Sequence, residues 1–84
     1  MEELREVGRV SHFFGRINVA IIEVKDIISV GDQILIKGPT TDIEQTVDSM
    51  EIEHKKVKQA EAGQSIGMKV NARVREKDIV YKTG

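Results

Sequence analysis

Three times in this chain a turn built on glycine or aspartate launches a short alternating apolar run with a lysine at or near its end: VGDQILIK (30–37), AGQSIGMK (62–69) and EKDIVYK (76–82). Alternation sends every second side chain to the same face of an extended strand, and the turn residues confine each strand to a few positions. Short strands at regular spacing, each opened by a turn, predict an all-β arrangement of hairpins.

The remaining segments fit that rhythm. Valine and isoleucine dominate the apolar residues, proline occurs once and aromatic residues make up 4%, so β-branched side chains have to fill the core. A first strand over 6–14, EVGRVSHFF, leads through Gly15 and Arg16 to a partner over 17–24, INVAIIEV. In that partner Ile17, Val19 and Ile21 share one face while Ala20, Ile22 and Val24 share the other, which predicts burial on both sides. The segment DIEQTVDSMEIEH alternates through Ile43, Gln45 and Val47 and then changes parity to Met50 and Ile52, so a bulge is expected at Asp48-Ser49. The combined expectation is a small closed antiparallel β-barrel of about six or seven strands. It forms a single domain over 1–84, with residues 1–5 as a flexible N-terminal lead.

Size and composition narrow the chemistry. A chain of 84 residues without cysteine buries only ~60 to 65% of its unfolded surface and has no disulfide or thiolate metal site to help it. Thirteen basic residues against 14 acidic ones leave a net charge of -1, so any nucleic-acid contact requires a local patch. No apolar run approaches the ~20 residues of a membrane span, and the start MEELREVG is acidic where a signal peptide would be basic; a soluble cytoplasmic protein with no membrane partner is expected.

Candidate catalytic and ligand-binding patterns fall short of what each chemistry needs. The glycines and lysine of Gly31–Gly38 have the wrong spacing for a phosphate loop, and Pro39 removes an amide donor, so no nucleotide is expected. His12 and His54, even with Glu51 or Glu53, do not make a convincing set of three or four metal ligands. On a strand, Glu51 and Glu53 would share a face that excludes His54. Ser11 and His12 project to opposite faces and cannot act as nucleophile and base. The expectation is a non-catalytic chain with no cofactor and no metal.

Two basic clusters remain, Lys55, Lys56 and Lys58, and Arg73, Arg75 and Lys77, with Gly31, Asp32 and Gly63 as structural turn residues. If the strand through Ile66–Val70 folds back from Gly63 beside the segment before it, the two clusters converge on one surface.

The order of a long hairpin, VGDQILIKG, a bent strand reaching MEIEHKKVKQAEAGQSIGMKV and a closing strand resembles the second, β-barrel domain of translation GTPases such as elongation factor Tu. It is more similar still to the short free-standing translation elongation factor-like proteins of prokaryotes. The markers are Val30-Gly31-Asp32 and Ala62-Gly63 followed by Ile66-Gly67, over about Val7 to Lys82. The resemblance implies a barrel and not the activity of its parent; the expectation is a non-catalytic binding module that associates with RNA, ribosome-associated factors or the translation machinery through the two basic clusters. The aminoacyl pocket of that family does not carry over: Glu51 fits its pattern, but Glu53, His54 and Ser65 stand where an aromatic, an arginine and an asparagine belong. The alternative is a protein-protein adaptor or subunit docking through a hairpin or an edge strand.

Overall fold

A computed structural model describes residues 4–83. Ten strands run β1 Leu4–Phe14, β2 Val19–Val24, β3 Ile28–Ser29, β4 Gln33–Lys37, β5 Asp42–Thr46, β6 Met50–Ile52, β7 Lys55–Val57, β8 Gln59–Ala60, β9 Ser65–Lys69 and β10 Ile79–Thr83. Eight of them form one sheet in the order β5-β4-β10-β1-β2-β9-β6-β7, and β3 pairs with β8. Every pairing is antiparallel. Leu4 and Arg5 pair with Thr83 and Lys82, and residues 1–3 of the expected lead lie outside the described residues.

Each of the three repeated turns uses one device. Asp32 and Gln64 donate their backbone amides to the carbonyls of Ser29 and Glu61, and Asp78 donates to Arg75. Their side chains return the bond: Asp32 Oδ2 accepts from Ser29 N at 2.8 Å, Gln64 Oε1 from Glu61 N at 2.7 Å and Asp78 Oδ2 from Arg75 N at 2.8 Å. The third position of each turn has positive φ, at Gly31 (97°), Gly63 (93°) and Lys77 (76°), a region glycine enters without steric cost. These locked turns aim β4, β9 and β10, whose Ile34, Ile36, Ile66, Met68 and Val80 enter the core.

The closed barrel is corrected to an open, curled sheet. Among the described residues no backbone ladder joins the end strands β5 and β7. The seam is spanned by the turn after β3 instead: Gly31 N donates to Val47 O and Val47 N to Asp32 O on one side, and Val30 N donates to Lys58 O on the other. Those bonds satisfy backbone groups one residue past the ends of β5 and β7, and the paired strands β3 and β8 contribute the buried Ile28 and Ala60 to the core. Gln45, buried on β5, adds a side-chain link: its Nε2 donates to Lys69 O at 3.1 Å and its Oε1 accepts from Asn71 N at 2.8 Å.

Two further expectations change. The parity switch after Val47 is present, with Val47 and Met50 both buried, but it occurs at a break between β5 and β6 rather than at a bulge in one strand. Register shifts fall instead in β1, between Glu6 and Gly8 and between Val10 and His12. The second strand starts at Val19, because 15–18 form the hairpin loop with Asn18 at φ 54°. Ala20, Ile22 and Val24 are buried, whereas Val19 and Ile21 are half-buried and Ile17 is 61% exposed. The strand is therefore covered on one side only.

Candidate functional site

The uncovered side of β2 forms one wall of a groove of about 580 Å³. Cross-strand partners in a sheet share a face, so register places Ile21, Gly67 and Glu51 in one row across β2, β9 and β6. Gly67 contributes no side chain to that row, and the hollow runs over it along β9, with Ser65 and Lys69 two positions away on either side. Phe14, Ile17, Val19 and Ile21 make an apolar wall, and Glu51, Glu53 and His54 line the opposite side. Phe14 is 46% exposed, and its ring meets His12 edge-on at 4.5 Å.

The polar wall depends on a strained turn. Glu53 and His54 are the two central residues between β6 and β7, with φ of 51° and 65°. Tight hairpins prefer asparagine and glycine there, because a side chain in the left-handed region costs about 1–2 kcal/mol. This backbone also explains why Glu51, Glu53 and His54 all line the groove although strand alternation would separate His54 from the glutamates. Alternation ends at Ile52.

The basic residues lie elsewhere. Lys55 and Lys56 are exposed on β7, opposite Ile52 and Glu51, and Lys58 follows them. Arg73, Arg75 and Lys77 sit in the connection from β9 to β10. Arg73 and Arg75 border a second hollow of about 490 Å³ with His12, Phe13, Val74 and Glu76, where His12 Nδ1 is 3.4 Å from Glu76 Oε1. The expected pairing of the two segments does not occur: β9 pairs with β2 and β6, β6 separates it from β7, and β8 pairs with β3. Among the described residues no three histidine, aspartate or glutamate side chains group to hold a metal ion. No helix among them is long and apolar enough to cross a membrane.

Residues 4–80 match the family described as the peptidase family U32 C-terminal domain. The chain belongs to that family. It is 47% identical over 77 residues to an uncharacterized protease of Methanocaldococcus jannaschii, a match covering 90% of this chain and 19% of the relative. A collagenase of Porphyromonas gingivalis is 37% identical over 78 residues, covering 90% of this chain and 22% of the relative. The U32 domain here thus spans about a fifth of the length of the curated relatives it matches. The crystal structure of the C-terminal domain of a Geobacillus thermoleovorans protein assigned to the U32 peptidases superposes with a TM-score of 0.87 at 18% identity, covering 92% of this chain and 90% of that one. Its selenomethionine variant also gives 0.87, at 16% identity, covering 90% and 96%. The fold is shared.

Membership of the U32 family overturns the resemblance to translation factors, and the translation-factor and RNA-binding descriptions lose their support with it. The reason lies in the markers. Val30-Gly31-Asp32 and Ala62-Gly63 specify turns in which a glycine takes positive φ and the next side chain accepts an amide, a local device open to any antiparallel sheet.

Phe14, Ile17, Val19, Ile21 and Gly67 were not legible as site residues. The available signal was the apolar second face of 17–24, which reads equally as core.

Proposed function

We propose that this U32 domain is a non-catalytic binding module that holds an extended segment of polypeptide in the groove over Gly67. Bond cleavage would belong to the other four-fifths of the longer proteins it resembles. One observation carries the reading: an apolar wall that includes the exposed Phe14 and Ile17 faces a polar wall across a strand whose centre is a glycine. Glycine inside a strand often marks a close approach by another backbone, and a half-apolar slot suits a peptide better than a rigid polar solute. The names of the relatives, a protease and a collagenase, are consistent with polypeptide as the ligand.

The test is a titration of the isotopically labelled chain with peptides from denatured collagen, followed by backbone amide shifts. Changes concentrated at Val19, Ile21, Ser65, Gly67 and Glu51 are the expected result. Saturating peptide with no change at those positions would refute the reading.

A further inference from the structure

The two walls of the groove differ in chemistry, and that difference specifies the ligand further. We infer, on the basis of the polypeptide-binding reading above, that the groove selects extended segments in which apolar and cationic residues alternate. Successive side chains of an extended peptide point to opposite sides. A peptide lying along β9 with its backbone toward Gly67 therefore directs one residue to Val19 and Ile21 and the next to Glu51 and Glu53.

The dimensions allow this. β2 and β6 flank β9, so the backbones that carry the two walls are two interstrand spacings apart, roughly 10 Å. One extended chain fits between them. Among the described residues Glu51 and Glu53 belong to none of the five ion pairs, so their carboxylates are available to a ligand cation. Lys56 stands beside Glu51 on the side away from β9, and Lys69 lies at one end of the groove. The cation is thereby directed to the Glu51 and Glu53 side and away from Lys69. The strained turn at Glu53 and His54 adds to the argument, since it sustains a backbone cost at the residues that build the acidic wall.

The experiment compares three fluorescently labelled pentapeptides, Leu-Lys-Leu-Lys-Leu, Leu-Gln-Leu-Gln-Leu and Leu-Glu-Leu-Glu-Leu, by anisotropy with the complete chain. The lysine peptide should bind about two- to fivefold more tightly than the glutamine peptide, the scale of one exposed ion pair, and the glutamate peptide most weakly. Glu51→Gln combined with Glu53→Gln should erase the advantage of lysine, so that the lysine and glutamine peptides bind this variant equally. Gly67→Leu should abolish binding of all three by filling the groove. Gly67→Ala should weaken all three while folding normally, because its β-carbon would meet Val19 Cγ1 at 3.4 Å and Ile21 Cδ1 at 3.8 Å, which the site accommodates.

Equal affinity for the three peptides, with binding still lost in Gly67→Leu, would overturn the charge selection and leave the polypeptide-binding reading standing. Absence of binding by all three, binding unaffected by both Gly67 variants, or displacement of the lysine peptide by a short oligouridylate would overturn both.

Discussion

Gly38 and the carboxylate of Asp78 are in such close contact that a β-carbon on Gly38 would collide with Oδ1. Asp78 is 1% exposed, and its other oxygen accepts the amide of Arg75 at 2.8 Å. The glycine that follows Lys37, suggestive of a phosphate loop in isolation, lets the chain leaving β4 pass close to a buried aspartate. Gly38→Ala should destabilise the domain by about 1–3 kcal/mol, as overpacking against a fixed neighbour does. Urea denaturation measures it, and an unchanged midpoint would show that the Asp78 turn can move.

The three turns share a bond pattern but differ in exposure, which predicts an order. Asp78→Ala should cost about 2–3 kcal/mol, Asp32→Ala about 1–2 and Gln64→Ala less than about 1, because an amide left without its partner is penalised most where water cannot replace it. Asp78 is 1% exposed, the Asp32 side chain 18% exposed and in contact with Lys82 Nζ at 3.2 Å, and Gln64 is at the surface. Thermal unfolding of the three variants checks the ranking. A Gln64→Ala loss equal to that of Asp78→Ala would refute the role of burial.

Replacing Glu53 and His54 by asparagine and glycine should stabilise the domain by about 1–2 kcal/mol, since both positions have positive φ in a two-residue hairpin turn. The midpoint of chemical denaturation reports the gain. A loss of stability would mean that the present side chains make compensating contacts.

Gln45→Leu should cost about 1–3 kcal/mol, because it leaves the carbonyl of Lys69 and the amide of Asn71 without their side-chain partner near the open seam of the sheet. Hydrogen exchange at the Asn71 amide should accelerate more than at Ile66 within β9. Uniform acceleration at both would indicate global destabilisation instead.

Much of the fold follows from local chemistry that a sequence displays directly. The alternation in Ile34 and Ile36, and in Ile66, Met68 and Val70, identified core-facing residues, because the period of a strand does not depend on which strand lies beside it. The parity change between Val47 and Met50 was visible for the same reason. The form of the break was not, since whether a strand bulges or ends depends on partners for its backbone, and those of Val47 come from the distant Gly31 and Asp32.

The candidate site was much less legible. Apolar residues on both faces of 17–24 were expected to be covered twice, yet only Ala20, Ile22 and Val24 enter the core. Sequence alone determined the turn chemistry, the strand period and the membership of the U32 C-terminal domain family, all properties of residues near one another or of the ordered pattern of residue types. Tertiary structure decided that the sheet stays open and that Gly67 lies between Ile21 and Glu51, placing an apolar wall opposite a carboxylate wall. Strand order and cross-strand register arise from long-range pairing, and the same alternating pattern is compatible with several such pairings.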